Sequence, residues 1–427
     1  MSPTFSSLHN RNYRLYASGM LVSNVGTWMQ RVAQDWLVLQ LTGGSGVALG
    51  ITTGLQFLPM LLVGLFGGML ADRYPKRLLL TITQTFMGVT ALVLGLLVLT
   101  DTVAVWHVYV LATLLGVGTA LDNPARQSFV IEMVGPDDLT NAVSLNSASF
   151  NMGRVLGPAT AGLLIDLWDT GPVFIINAVS FLAVLLALRR MRDSELHHSP
   201  LSGRGPGQVR EGIRYVMGRP DLKVLLLVVF FVGTFGLNFQ MTTALMATHV
   251  FDKGAGQYGL LGSIMAVGSL SGALLAARRG RPRVRLMLGA AAAFALFEIA
   301  AGSMPTYWLF AASLIPVGIT SMTFITAANS TMQLAVDPVM RGRVMALYMA
   351  VFMGGTPFGA PVVGALAEWL GARWSLWAGG GISLVAVVVG AVLSMRARGL
   401  VVRTTWTPLP AMRVEEQGLD EVVLTPR

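Results

Sequence analysis

Long apolar runs separated by short polar segments are the feature that most limits how this chain folds. An α-helix needs roughly 20 apolar residues to cross the hydrocarbon core of a membrane. The hydropathy pattern predicts twelve such spans, at residues 13–40, 46–71, 78–100, 104–130, 140–166, 172–190, 222–249, 256–277, 284–303, 306–333, 343–369 and 373–396. The sequence therefore predicts an all-α membrane protein with twelve transmembrane helices.

Composition supports this class and excludes others. Of the 427 residues, 54% are hydrophobic and 12% are charged, whereas soluble domains carry about 25% charged residues. With no cysteine, disulfides and thiol chemistry are excluded, and no His or carboxylate cluster has metal-ligand spacing. A phosphate-binding G-x-x-x-x-G-K-S/T motif is also absent from the sequence. We therefore predict neither an enzyme nor a protein with a metal or another cofactor.

The positions of the cations predict the orientation in the membrane. Short cytoplasmic loops collect Lys and Arg. If the N-terminus is cytoplasmic, all but four of the 30 Lys and Arg residues lie in inner loops, inner helix ends or tails. Lys253 and Arg373 fall in outer loops, and Arg31 and Arg154 fall within spans. This pattern predicts a multi-pass protein of the cytoplasmic membrane with both termini inside. Because the cations lie in short loops between spans, the net charge of +9 does not indicate nucleic-acid binding.

An internal repeat predicts two halves of six helices each. A shift of 202 residues superimposes the fifth span on the eleventh, matching Gly153 with Gly355, Gly157 with Gly359, Gly162 with Gly364, and Asp166 with Glu368. Two such halves indicate a parallel repeat with a site between them. The predicted domains are an N-terminal bundle (1–191), a cytoplasmic linker (192–221), a C-terminal bundle (222–398) and a disordered cytoplasmic tail (399–427).

The linker itself carries a helical pattern. Val209, Ile213 and Val216 recur at helical spacing, with Arg210 and Arg214 off that stripe. Such a pattern predicts a short amphipathic helix lying on the inner surface of the membrane.

The loop after the second span contains the most specific motif in the chain, Gly67-Gly68-Met69-Leu70-Ala71-Asp72-Arg73-Tyr74-Pro75-Lys76-Arg77. It resembles the G-x-L-A-D-R-x-G-R/K-R/K loop of the major facilitator superfamily. The residues that fit include Gly68, Asp72, Arg73, Lys76 and Arg77, whereas Pro75 replaces the usual glycine. The counterpart in the second half, at 272–279, keeps the cations but has no acid. The resemblance therefore implies a cytoplasmic gate that depends on the first half.

A second resemblance lies in the fifth span. Gly153, Gly157, Pro158 and Gly162 match the G-P-x-x-x-G pattern typical of antiporters of that superfamily. Glycines at these spacings allow close helix approach, and proline bends a helix. The motif is consistent with an exporter-associated bend or with helix packing alone.

Charges within the spans are the candidates for coupling. Arg31 and Asp35 are four residues apart on one helix face, Arg154 lies midway along the fifth span, and Glu298 lies in the ninth. Charged groups at this depth cost several kcal/mol unless paired, so they are functional candidates. We predict that all four belong to a central proton-coupling site. Structural pairing of Arg31 with Asp35, or of Arg154 with Asp35 or Asp122, is the alternative.

The fourth span adds gate candidates and a subfamily resemblance. Asp122 and Arg126 are four residues apart, and the superfamily resemblance suggests Arg126 as the partner of Asp72. Three runs resemble the enterobactin-exporter-like branch: the D-x-P-x-R-Q run at 122–127, Trp36–Thr42, and Arg341–Val344.

The resemblance implies a transporter that works by alternating access and proton antiport. It would export a small molecule, such as a siderophore, an antibiotic or an amphipathic drug. Protons and the lipid bilayer are the other expected partners, and the protein is expected to be a monomer. Two alternatives are a proton-coupled nutrient importer of the same fold and a membrane scaffold or sensor that transports nothing.

Overall fold

The computed structural model describes residues 3–197, 208–278, 284–397, 400–407 and 409–416. Its helices are α1 (Arg11–Thr42), α2 (Gly46–Arg73), α3 (Lys76–Leu99), α4 (Val105–Val134), α5 (Leu139–Trp168), α6 (Thr170–Arg190), α7 (Gln208–Met217), α8 (Pro220–Phe231), α9 (Phe239–Leu245), α10 (Ala255–Ala277), α11 (Val284–Gly302), α12 (Tyr307–Ala335), α13 (Arg341–Gly354), α14 (Thr356–Leu370) and α15 (Ala372–Ala397). Single 3-10 turns precede α1 and follow α6.

Among the described residues, ten helical segments are long and apolar enough to cross a membrane. Two of them consist of consecutive pieces. Pro220–Val250 joins α8 and α9 through π-helical turns at Val232–Gly236 and Met246–Val250, and Arg341–Leu370 joins α13 and α14. The all-helical membrane fold predicted from hydropathy is thereby confirmed. The long helices α1 and α5 carry more polar side chains than these ten, so the exact count of twelve spans stays a prediction.

The helix ends follow from local sequence. The side chains of Asn10 and Ser45 accept hydrogen bonds from the backbone N–H groups of Tyr13 and Ala48, which caps the first turns of α1 and α2. Helix α1 ends at Gly43, whose φ of 63° lies in the left-handed region that glycine adopts without a Cβ clash. Only Tyr74 and Pro75 separate α2 from α3.

The long helices form two bundles. Helices α1–α6 pack together, as do α8–α15. The N-terminal segment, the α2–α3 loop and Arg190 lie at one end of the assembly, which we call the basic end. The other end, with Gly43–Ser45 and Gly371, is called the opposite end.

The predicted linker helix is present as α7. Its Tyr215 hydroxyl donates to Asp337 Oδ2 at 2.9 Å, and Glu211 forms a 2.7 Å ion pair with Arg343 in α13. These contacts attach α7 to the C-terminal bundle. Val209 lies outside the described side chains, as does the linker segment 198–207.

The segment after α15 differs from the predicted disordered tail. Strands β1 (Leu400–Thr407) and β2 (Leu409–Glu416) pair antiparallel. Valine, threonine and tryptophan residues of β1 favour strand geometry, a signal that the polar and proline-containing composition concealed. Residues 417–427 lie outside the described part of the chain.

The two bundles meet along two helix pairs, α2 with α14 and α5 with α10. Glycines allow backbone contact in both pairs. A methyl group at Gly50 would lie 2.5 Å from the Ala360 carbonyl oxygen, and one at Gly259 would collide with the Pro158 carbonyl oxygen. The interface therefore depends on residues without a Cβ atom, as in other small-residue contacts between membrane helices.

The substitution Gly50→Ala tests this packing. The added methyl group meets backbone atoms of α14, so we expect the free energy of unfolding to fall by about 1–3 kcal/mol. Gly289→Ala in α11 is the matched control, because nothing lies within 4 Å of its Cβ position. Thermal melting of the purified variants in detergent measures the difference. Equal melting temperatures for the two variants would contradict the close contact.

Candidate functional site

A cavity of about 280 Å³ lies between the two bundles. Its walls combine aromatic, methionine and small polar side chains with two arginines, Arg31 and Arg154. A mostly apolar cavity with a few polar groups is typical of small-molecule sites. Further lining residues from both bundles are Trp28, Phe57, Pro158, Leu237, Asn238, Gln240, Tyr258, Met265, Met322 and Phe352.

Asp35 connects the two bundles beside this cavity. Its side chain is 3% exposed, and its Oδ2 atom accepts hydrogen bonds from Gln240 Nε2 at 2.7 Å and from the Tyr258 hydroxyl at 2.9 Å. Asp35 is on α1, whereas Gln240 and Tyr258 are on α9 and α10. The Trp36 ring stacks on the Tyr258 ring at a centroid distance of 6.4 Å. These hydrogen bonds exist only while α1 lies against the C-terminal bundle.

The two cavity arginines share an aromatic partner. The Cζ atoms of Arg31 and Arg154 lie 4.8 Å and 5.8 Å from the centroid of the Trp28 ring. Neither arginine takes part in an ion pair among the described residues. Cation–π contacts contribute about 0.5–2 kcal/mol each. They offset only part of the cost of holding two cations in one cavity.

The two acids considered as alternative partners of these arginines accept their described hydrogen bonds from other residues. Asp35 is bonded as described above. Asp122 is fully buried in the N-terminal bundle, where it accepts hydrogen bonds from Arg126 Nε at 2.8 Å, Thr83 Oγ1 at 2.7 Å and Gln84 Nε2 at 2.8 Å. Arg154 therefore has neither predicted carboxylate as a hydrogen-bond partner.

Ion pairs to α4 and to the segment after α6 hold the start of α3, next to the α2–α3 loop. Lys76 Nζ lies 2.7 Å from Glu132 Oε1, with both side chains less than a tenth exposed. Arg77 pairs with Asp193 at 2.5 Å, while Arg73 is exposed and Gly68 is partly buried. The Asp72 side chain lies outside the described part of the structure, so its pairing with Arg126 stays a prediction.

The glycine-proline motif of α5 faces two helices. Backbone and side-chain atoms of α1 lie against Gly153 and Gly157, and atoms of α10 lie against Gly162. Pro158 lines the cavity. The motif thus packs α5 against α1 and α10, and it places Pro158 in the cavity wall. The exporter-associated bend stays a prediction.

Two carboxylates join the bundles at the opposite end. Glu368 Oε2 of α14 accepts hydrogen bonds from Ser45 Oγ at 2.6 Å and from the Val47 N–H at 3.0 Å, at the start of α2. Asp166 of α5 accepts from the Gly256 N–H at 3.1 Å, at the start of α10. Negative charge is favourable at a helix N-terminus. The internal repeat relates these two contacts to each other.

Glu298 lies apart from the cavity. Its side chain is 1% exposed within the C-terminal bundle, and the cavity lining does not include it. Sequence reasoning also missed Trp28 and Tyr258. An aromatic residue in an apolar helix has no distinguishing pattern in one sequence, and only their positions around Asp35, Arg31 and Arg154 reveal their part in the site.

Two helix bundles around a central cavity define a transporter of the major facilitator fold. A bacterial homolog of the human lysosomal transporter Spinster, in an inward-facing and occupied conformation, superimposes with a TM-score of 0.72 and 16% identity, covering 90% of this chain and 97% of that one. Residues 2–421 match the family described as transmembrane secretion effectors. The chain belongs to this family of the major facilitator superfamily, whose members are transporters rather than enzymes.

Among curated proteins, this chain is similar to efflux transporters. It is 27% identical to the multidrug efflux pump Tap of Mycolicibacterium fortuitum, covering 87% of this chain and 92% of Tap. It is 24% identical to the enterobactin exporter of Shigella flexneri, covering 82% of each. A 32% identical match to the staphyloferrin A transporter of Staphylococcus aureus covers 41% of this chain and spans 44% of that protein's length. The predicted resemblance to the enterobactin-exporter-like branch is thereby confirmed.

The buried Lys76–Glu132 pair gives a testable prediction. Lys76→Met leaves the Glu132 carboxylate buried without its cation, so we expect a loss of about 3–5 kcal/mol in the free energy of unfolding. The double variant Lys76→Met/Glu132→Leu should recover most of this loss. Arg192→Met is the matched control, because the Arg192–Glu195 pair is solvent-exposed and such pairs contribute at most about 1 kcal/mol. Thermal melting in detergent measures the difference. If Lys76→Met and Arg192→Met had the same melting temperature, the prediction would be refuted.

Proposed function

We propose that the protein exports a small molecule across the cytoplasmic membrane by proton antiport with alternating access. The observation that carries this proposal is the position of Asp35. It is a buried carboxylate at the edge of the cavity, and its two described hydrogen bonds both come from the other bundle. Its hydrogen bonding is therefore tied to the conformation of the transporter.

The proposed cycle uses this dependence. In this cycle Asp35 gives up its proton while the bundles are in contact and both donors bond to its carboxylate. When α1 separates from α9 and α10, Asp35 loses both donors and binds a proton from the other side. Arg31, one turn away on α1, and Arg154 in the cavity wall link this titration to the binding of cargo.

The cavity supports an amphipathic or anionic cargo. Trp28, Phe57, Met265 and Phe352 offer apolar and polarizable surface, and flexible methionines accommodate varied shapes. Two arginines without an ion-pair partner among the described residues suit a carboxylate, a phenolate or a catecholate. The efflux proteins named above support a siderophore or an antibiotic as the cargo class.

The cations at the basic end indicate which side of the membrane this end faces. Lys76, Arg77, Arg190 and Arg219 lie at this end, and short cytoplasmic loops are the ones enriched in such residues. We infer that both termini are cytoplasmic and that the opposite end, closed by Asp166 and Glu368, faces outward. The described conformation is then inward-facing.

Two gates complete the proposal. At the outer end, Asp166 and Glu368 each bond to the first turn of a helix in the other bundle, which holds the bundles together. At the inner end, Asp72 with Arg126 is the proposed latch. Both residues belong to the N-terminal bundle, where Arg126 already bonds to Asp122, so this latch would fix the α2–α3 loop.

Asp35→Asn tests proton coupling. Asparagine keeps the size of the side chain but cannot carry the proton, so we expect pH-gradient-driven uptake into everted membrane vesicles to fall at least about tenfold. A labelled macrolide and iron-free enterobactin serve as probes, with a protonophore as the reference for uncoupled uptake. Asp101→Asn, in the loop between α3 and α4, is the matched control.

The same assay separates the rival functions. An exporter accumulates the probe inside everted vesicles against a gradient, whereas an importer depletes it, and a scaffold moves none. If vesicles with Asp35→Asn take up the probe as fast as vesicles with the unchanged protein, Asp35 is not the proton-coupling residue.

Glu368→Gln tests the outer gate. Loss of the charge weakens the hydrogen bonds to Ser45 and Val47 by about 1–2 kcal/mol, which shifts the population toward an outward-open form by roughly 5–30-fold. Because the chain has no cysteine, Thr53→Cys in the cavity wall can be labelled alone. We expect an impermeant maleimide added to intact cells to label it faster when Glu368→Gln is also present.

The control for this experiment is Glu195→Gln. Glu195 is at the basic end and pairs with Arg192 three residues away, so its loss leaves the contact between the bundles unchanged. Equal labelling rates with Glu368→Gln and Glu195→Gln would exclude Glu368 from the gate.

A further inference from the structure

The starting point is the buried carboxylate of Glu298 in α11. Its side chain is 1% exposed, and its Oε2 atom has no hydrogen-bond partner among the described residues. The Ser383 hydroxyl of α15 is fully buried and has no described partner either. Leaving such groups unsatisfied is costly, so these two oxygens are available to bind a ligand.

Two glycines, Gly236 and Gly379, show how close these oxygens lie to the π-helical turn between α8 and α9. A methyl group at Gly236 would lie 2.7 Å from Ser383 Oγ and 3.3 Å from Glu298 Oε2. One at Gly379 would lie 2.7 Å from the Phe235 carbonyl oxygen and 2.9 Å from Glu298 Oε1. Phe235 and Gly236 belong to the π-helical turn Val232–Gly236. A carboxylate, a hydroxyl and a carbonyl oxygen therefore lie close together, and we call them the Glu298 oxygen cluster.

No side-chain cation neutralises the Glu298 oxygen cluster in the described structure. The ion pairs of the described residues do not include Glu298. Helix α12 has no ionisable side chain apart from Tyr307, at its first residue, and α15 has only Arg373 and Arg396, near its ends. Arg373 donates to the carbonyl oxygens of Gly302 and Met304 at 2.6 Å and 2.9 Å.

The other neighbouring elements carry charges only near their ends as well. In α8 these are Asp221 and Lys223, in the first turn, and in α14 it is Glu368, which bonds to α2. The π-helical turn has none. The charge of Glu298 must therefore be removed by a small mobile cation.

We propose that Glu298, Ser383 and the Phe235 carbonyl form a binding site for a monovalent cation, H⁺ or Na⁺, inside the C-terminal bundle. Oxygen-only donors suit a hard cation. The site is distinct from Asp35, which lies on α1. Asn238 connects it to the cavity, because its Nδ2 donates to the Phe235 carbonyl oxygen at 3.3 Å and its side chain lines the cavity wall.

Occupancy of this site acts on the π-helical turn next to the cavity. A π-helical turn has poorer geometry than an α-helix and is frequent at functional sites. Cation binding at Glu298 fixes the turn against α11 and α15, and cation release frees it. A role for cation binding at Glu298 in transport rests on the export cycle proposed above. The cation binding itself does not depend on that cycle.

Melting of the purified full chain in detergent tests the binding. In choline chloride, raising the pH from about 6 to about 9 removes the proton and should lower the melting temperature by at least about 2 °C. Sodium chloride added at the higher pH separates the two cations. Recovery of the melting temperature identifies Na⁺ as a ligand, and no recovery identifies the proton alone.

Glu298→Gln keeps the shape of the neutral side chain and should abolish both responses. Ser383→Ala should weaken the Na⁺ response without removing the pH response. Asp101→Asn, which removes an exposed loop carboxylate, should respond like the unchanged protein. If Glu298→Gln shows the same pH and Na⁺ dependence as the unchanged protein, the site is excluded. This outcome does not depend on whether the protein exports anything.

Discussion

The cost of placing charge in an apolar bundle organises this structure. The buried charged groups of the described structure differ in whether they have a compensating partner and in which bundle that partner lies. Lys76 with Glu132, and Arg126 with Asp122, are satisfied inside the N-terminal bundle and hold its loops. Asp35 is satisfied only from the other bundle. Arg31, Arg154 and Glu298 have no ion pair among the described residues, and we propose that they serve cargo and cation binding.

The internal repeat adds a second level of organisation. The helix pairs that join the bundles, and the two carboxylates that bond to helix N-termini at the opposite end, occur in related copies. The basic-end loop is different, because only the first copy has an acid at the position of Asp72. The central charges are also unequal, since Asp35, Arg31 and Arg154 belong to the first half and Glu298 to the second. The contacts between the bundles at the opposite end are thus repeated in both halves, whereas the charged residues within the spans differ between the halves.

Much of the fold could be predicted from sequence because membrane insertion imposes strong, local rules. Apolar length predicts the spans, and Gly43 and Ser45 mark helix ends. The amphipathic stripe of the linker predicted α7. The segmented helices were missed, namely the π-helical turns at Val232–Gly236 and Met246–Val250 and the break before Thr356. The break has a local cause that sequence reasoning overlooked, because Pro357 stands in the first turn of α14. The hairpin at 400–416 was missed because a polar composition was given more weight than its β-branched residues.

The sequence by itself determined the class of protein, the repeat and which charges lie at membrane depth, because each depends on residue type and spacing along one chain. Only the tertiary structure decided the partners of those charges. Arg154 has neither candidate acid, Asp35 bonds to Gln240 and Tyr258, and Glu298 lies outside the cavity. These contacts join residues up to more than 200 positions apart. Their free energy depends on the distance and burial of both groups, which no local pattern encodes.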